Sequence, residues 1–244
     1  MTYCVAMSLA EGLVFVSDSR TNAGVDHIAT FRKLHVFGVP GERLLVLQSA
    51  GNLATSQSVI SLLRQRLNGE GPHLHNVASL FAAALLLGET LRETLAREGK
   101  SDLTQGVDLS CSFLIGGQIQ GAPPELYNIY PQGNFIASTE DTPYFQIGES
   151  KYGKPIIDRS LTYQTQLEQA LRCALISFDS TIRSNLSVGM PLDVLVYRAD
   201  SLMLPSGFRV EESDSYFETI RRQWGTGLRE LLGDLPAPPG DYWN

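Results

Sequence analysis

The chain has 244 residues, with 19 Lys and Arg against 26 Asp and Glu, a formal net charge of −7. That length is ample for a sizeable hydrophobic core, and an acidic balance with no basic run argues against nucleic acid or an anionic membrane as the main partner. With 43% apolar and 18% charged residues, the composition is that of a globular protein rather than a disordered one.

The first fifty residues read as strands. Apolar runs at 2–9 and 12–18 are divided by Glu11-Gly12, a hairpin signal. A polar stretch, 19–30, leads to strands at 33–39 and 44–49 around a Pro-Gly turn. The period then changes. Asn52 is placed to cap a helix with Ile60, Leu63 and Leu67 on one stripe, and a second helix is expected over 73–98, closed by Gly99. Strands return at 109–116, 126–130, 134–137 and 144–147. A third long helix follows at 164–186, then strands at 192–197 and 208–210 and a last helix at 213–232. Strands in runs, rather than in alternation with helices, predict an α+β fold of antiparallel sheets covered by helices. The expected organisation is one domain, 1–233, and a Pro-rich tail, 234–244, ending in Tyr242-Trp243.

No stretch reaches the ~18–20 apolar residues of a membrane helix, so no membrane partner is expected. The N-terminus lacks the basic start and apolar core of a signal peptide. Cys4, Cys111 and Cys173 sit singly in apolar segments and read as buried thiols in a reducing compartment, hence a cytoplasmic protein. Of the four histidines, His27, His35, His73 and His75, the pair His73-x-His75 near a helix start could bind a metal, but no carboxylate or cysteine sits at ligand spacing, so no metal site is expected. No glycine-rich phosphate loop or GxSxG elbow occurs.

The first strand begins at a threonine. Removing Met1 would leave Thr2 with a free α-amine, a hydroxyl nucleophile and a base of pKa about 7.7–8.0 in one residue. A hairpin would bring Asp18-Ser19-Arg20 back beside it. Lys33 opens the third strand, and a lysine beside the hydroxyl eases alkoxide formation while a carboxylate holds that lysine charged. Ser49-Ala50-Gly51 ends the fourth strand before a helix, where a glycine N–H can approach a bound carbonyl.

Thr2, Asp18-Ser19-Arg20, Lys33 and the Ala50-Gly51 turn together resemble the catalytic set of proteasome β-type subunits, and the element order fits through about residue 232. The segments 1–6, 17–24 and 49–55 are closer still to the bacterial ancestral β-subunit (Anbu) group. The resemblance implies a four-layer αββα sandwich, an N-terminal-nucleophile hydrolase with two antiparallel sheets between helix layers. It makes Thr2 the nucleophile, Asp18 and Lys33 its charge partners, Arg20 a supporting residue and the Gly51 N–H an oxyanion donor. Thr21, Asn22, Phe31, Ser49 and Leu53 would line the primary specificity pocket, and Phe31 with Leu53 would favour apolar side chains.

Two stretches depart from the family pattern. Gly148-Glu149-Ser150 stands where a Gly-Ser-Gly turn supports the nucleophile's amine, leaving Ser150 or Glu149 to act there. Ser184-Asn185-Leu186-Ser187 stands where an aspartate and a serine add support, and it brings Ser184 and Ser187 without a carboxylate. The expected activity is threonine peptidase or amidohydrolase chemistry on a peptide or amide substrate, by a homo-oligomer built from dimers into a ring or open helical washer. No cofactor is implied, and an ATPase partner is left open. Two other readings stand beside hydrolysis. One passes the same acyl-enzyme to an amine, and the weakened amine support favours it. The other is an assembly subunit with little activity, as in proteasome α-type subunits, but those carry an extra N-terminal segment that is not expected here.

Overall fold

The computed structural model describes residues 2–22, 28–99 and 106–243, so Met1 and His27 lie outside it. The strands at its start follow the hydrophobic pattern: β1 (Tyr3–Leu9) and β2 (Gly12–Asp18) form an antiparallel hairpin closed at Leu9↔Gly12. The polar stretch after β2 also pairs, as a short ribbon of β3 (Arg20–Asn22) and β4 (Ile28–Thr30). Its strands are only three residues long, too short for any alternation to be visible. Next come β5 (Leu34–Val39) and β6 (Arg43–Gly51), α1 (Leu53–Arg66) and α2 (Leu80–Glu98).

Asn52 caps α1 as its sequence position predicts, its Oδ1 accepting the Thr55 N–H at 3.1 Å while its Nδ2 donates to the Asp108 carbonyl at 3.0 Å. The second helix starts at residue 80, not 73. Ser79 caps it through the Ala82 N–H, and the preceding residues form a turn in which Val77 N–H donates to the His73 carbonyl. In that turn His73 Nδ1 accepts the His75 N–H, and His75 Nε2 accepts the Gly38 N–H, both at 3.2 Å.

The remaining strands are β7 (Cys111–Ile119), β8 (Glu125–Ile129), β9 (Phe135–Ala137), β10 (Tyr144–Gly148), β11 (Leu192–Arg198) and β12 (Phe208–Val210). Between β10 and β11 lie α3 (Lys154–Ser160) and α4 (Leu167–Ser184), where the pattern had suggested one helix. Seven-residue α3 is too short to display a helical stripe, and Pro155 in its first turn marks its start.

Two five-stranded antiparallel sheets result, ordered β10-β1-β2-β11-β12 and β5-β6-β7-β8-β9. Alternation along each strand separates two cores. Cys4, Ala6, Phe15, Val46, Leu114 and Leu126 meet between the sheets. Leu45, Leu47, Phe113 and Ile115, on the opposite face of the second sheet, pack under Val59, Leu63, Leu87 and Leu91 of α1 and α2. On the first sheet, α4 lies over β1 and β2, and the Tyr3 ring stacks on Phe178 with centroids 4.3 Å apart. The three cysteines are buried free thiols.

Residues 213–244 form a second compact unit. Asp214 Oδ1 accepts the Phe217 N–H at 2.8 Å and starts α5 (Ser215–Asp234). Phe217 is buried, while Leu228 and Leu231, further along the helix, are exposed. The tail ends in a 3₁₀ turn, Gly240–Trp243. Among the described residues no helix is long and apolar enough to cross a membrane.

Asn52→Ala removes both the α1 cap and the tie to the β7 approach. It is expected to destabilise the fold by about 1 kcal/mol, read from chemical denaturation at fixed protein concentration.

Candidate active site

Thr2 stands immediately before β1 and is 9% exposed. Its carbonyl accepts the Glu149 N–H at 2.6 Å, tying it to the end of β10. Close approach is possible because residue 148 is glycine: its φ is +81°, and a Cβ there would lie 2.1 Å from the Thr2 carbonyl oxygen.

The β1–β2 register sets Cys4 opposite Ser17, so Asp18 arrives beside the start of β1. Asp18 is fully buried. Its Oδ1 accepts the Tyr3 N–H at 3.1 Å and the Lys33 ammonium at 2.7 Å, and its Oδ2 accepts the Gly189 N–H at 3.4 Å. Lys33 is 4% exposed and also donates to the Arg20 carbonyl at 2.7 Å. Burial pushes the Asp18 carboxyl above its ordinary range, opposed by Lys33 and by the Tyr3 and Gly189 N–H groups.

A cleft of about 280 Å³ opens over this pair, lined by Thr2, Thr21, Lys33, Ser49, Leu53 and Gly148, with Ala50, Gly51 and Ser56 completing it. Gly51 is the only exposed residue of β6. Its φ is +109°, and a Cβ would lie 2.5 Å from the Ser110 carbonyl oxygen, so only glycine fits. Thr2, Lys33, Gly51, Thr21, Ser49 and Leu53 thus line one cleft. Phe31 does not join the lining; it is 37% exposed, and its N–H donates to the Ser19 carbonyl at 2.9 Å. The Asn22 side chain lies outside the described residues. Ser56 and Gly148 were not foreseen as lining; Ser56 sits three residues after Leu53, a helical spacing that carried the signal.

The two departures from the family pattern meet in space. Glu149 is buried, its Oε1 accepting the Ser150 and Lys151 N–H groups at 2.9 Å each and its Oε2 accepting Asn185 Nδ2 at 2.8 Å. Burial pushes this carboxyl up, but the hydrogen bonds from Lys151, Asn185 and Ser150 prevail and hold it below its ordinary range. Asn185 Oδ1 accepts the Ser187 N–H at 3.0 Å. Ser150 and Ser187 therefore join through their backbones, while Ser184 is exposed at the end of α4. The same α4–β11 segment holds Arg20, which donates to the Leu186 carbonyl at 3.1 Å, and Ser19, whose hydroxyl donates to the Pro191 carbonyl at 2.6 Å.

This geometry offers a threonine hydroxyl, a buried ammonium and a glycine backbone on one cleft, the ingredients of acyl transfer at a carbonyl. No metal-binding cluster of three or more His, Cys, Asp or Glu occurs among the described residues.

No protein-family model matches the chain. The helical assembly of the Anbu complex from Pseudomonas aeruginosa superposes with a TM-score of 0.96 and 68% identity, covering 98% of this chain and 99% of that one. Anbu (ancestral beta-subunit) from Yersinia bercovieri gives 0.92 and 60%, covering 97% and 99%. A proteasome subunit beta from Haloquadratum walsbyi is 23% identical over 216 residues, 86% of this chain and 79% of that protein.

Lys33→Met leaves Asp18 buried without its cation and is expected to cost about 3–5 kcal/mol of stability. Asp18→Asn combined with Lys33→Met is expected to recover part of that loss, because no uncompensated charge remains. A denaturation double-mutant cycle reads both.

Proposed function

Because the chain belongs to the Anbu (ancestral β-subunit) group of proteasome β-type proteins, we propose that it is a threonine-type N-terminal-nucleophile amidohydrolase acting on a peptide or amide. The observation that carries this reading is Lys33, buried on the same cleft as Thr2 and fixed at 2.7 Å by both Asp18 and the Arg20 carbonyl. The packing supports a four-layer reading, with α4, the first sheet, the second sheet, and α1 with α2 stacked in that order.

In this mechanism Met1 is removed and the Thr2 α-amine becomes free. The Thr2 Oγ1 attacks the amide carbon, its proton passing to the α-amine, while the Lys33 ammonium favours the developing alkoxide. The Gly51 N–H donates to the oxyanion. The tetrahedral intermediate collapses, the C–N bond breaks and the α-amine returns the proton to the leaving amine, giving an ester on Thr2. Water, deprotonated by the same α-amine, attacks the ester and releases the acid with Thr2 restored. Glu149 and Asn185 position the segments on either side of Thr2. The cleft lining mixes the hydroxyls of Thr21, Ser49 and Ser56 with Leu53, a setting for a small or modest side chain. A homo-oligomer fits this reading, since the Pseudomonas aeruginosa relative is a helical assembly, and buried free thiols fit a cytoplasmic protein.

Intact mass measured before and after a β-lactone electrophile tests the proposal. The expected result is a chain lacking Met1 that gains one adduct, with no adduct on Thr2→Ala; retained Met1 with no adduct overturns it. Amide cleavage assayed with added amine acceptors is expected to yield the free acid rather than the transfer product. The pH profile carries a further expectation. Because burial raises the Asp18 pKa, the folded protein takes up this proton at a higher pH than the unfolded chain. Protonated Asp18 no longer anchors Lys33, so acylation is expected to fall on the acid side above the ordinary carboxylate range, and Asp18→Asn to remove that limb along with most of the activity.

A further inference from the structure

A second, larger cavity of about 490 Å³ lies where β5, the edge strand of one sheet, faces β11 and β12 at the edge of the other. Three guanidinium groups line it, Arg32, Arg64 and Arg209, against one carboxylate, Asp193. Asp193 is already engaged: it accepts Arg209 Nε at 2.8 Å and Nη2 at 3.0 Å in a two-point pair. Arg64, from α1, reaches in and donates to His35 Nδ1 at 3.4 Å. Arg32 has no hydrogen-bond or ion-pair partner among the described residues. A cationic cavity in a chain of net charge −7 is not the general field of the protein but a local feature.

We propose that this cavity binds a small organic phosphate. The volume falls within the roughly 300–1,000 Å³ of small-molecule sites and exceeds what a bare phosphate needs. The Arg32 fork and the guanidinium donors of Arg64 not given to His35 match the oxygens of a dianion, and neither guanidinium has a carboxylate partner among the described residues. His35 adds a neutral donor. Burial and the Arg64 charge push it down to about 4, with Arg32 acting the same way and Asp193 opposing. With Nδ1 accepting from Arg64, its remaining proton sits on Nε2. The organic part has an apolar wall in Leu34, Val194 and Phe208, the last 63% exposed. Arg32 and Leu34 flank Lys33 in the chain, so this cavity and the Thr2 cleft share the start of β5.

Calorimetric titration of the full assembled protein with phenyl phosphate, inorganic phosphate and benzoate tests the proposal. Phenyl phosphate is expected to bind saturably, once per chain, about tenfold or more tighter than benzoate or inorganic phosphate, and to weaken as salt rises. Arg64→Gln is expected to lower that affinity at least about tenfold while leaving the Thr2 adduct reaction intact. Thr2→Ala is expected to bind as the parent does, which separates this site from the proposed chemistry. Absence of saturable binding, or binding unchanged in Arg64→Gln, overturns the site. Benzoate binding as tightly as phenyl phosphate overturns the assignment to phosphate.

Discussion

A carboxylate and an ammonium buried together at the open end of a hairpin set the geometry of everything around them. Removing two charges from water costs several kcal/mol per ion, and their attraction offsets this only when further hydrogen bonds complete both groups. Asp18 therefore takes N–H groups from Tyr3 and Gly189 as well as Lys33, and Lys33 takes the Arg20 carbonyl as well as Asp18. Those partners come from β1, from the segment after β2, from the approach to β5 and from the α4–β11 connection. Satisfying one ion pair thus fixes how the two sheets meet beside Thr2.

Glu149 performs a second joining role through hydrogen bonds rather than an ion pair. Its N–H holds the Thr2 carbonyl, and its carboxylate holds Asn185 together with two backbone N–H groups of its own turn. The α4–β11 connection lacks a carboxylate, yet a carboxylate reaches it from β10. The charge that the local sequence of that connection omits is supplied by a residue 36 positions away. Serine hydroxyls are not needed for this contact, which is why Ser150 and Ser187 contribute backbone N–H groups.

Four of the 19 basic residues occupy two defined places. Lys33 is enclosed in the cleft, while Arg32, Arg64 and Arg209 gather where the sheet edges open. Edge strands leave such openings because nothing pairs with their outer side. Here the opening between β5 and β12 carries donors and an apolar wall rather than packed aliphatic side chains.

Much of this was legible in the residues alone. Long periodic segments announced α1, α2, α4 and the hairpin, because burial of one face imposes a 2.0 or 3.6 residue repeat. Thr2, Asp18, Lys33 and Gly51 were legible because each stands at an element end that a hairpin or a strand-to-helix turn must bring to one side. Three-residue β3 and β4, in a polar stretch, and α3, poor in any apolar stripe, left no repeat to read, and the start of α2 depended on a Ser79 cap that competes with apolar residues before it. Phe31 stays out of the cleft, and Glu149 enters the network through Asn185, because strand pairing and side-chain reach across sequence-distant loops decide both. Sequence determines which residues each element presents; only tertiary contact decides which presented groups meet, since that depends on the register and crossing of segments far apart in the chain.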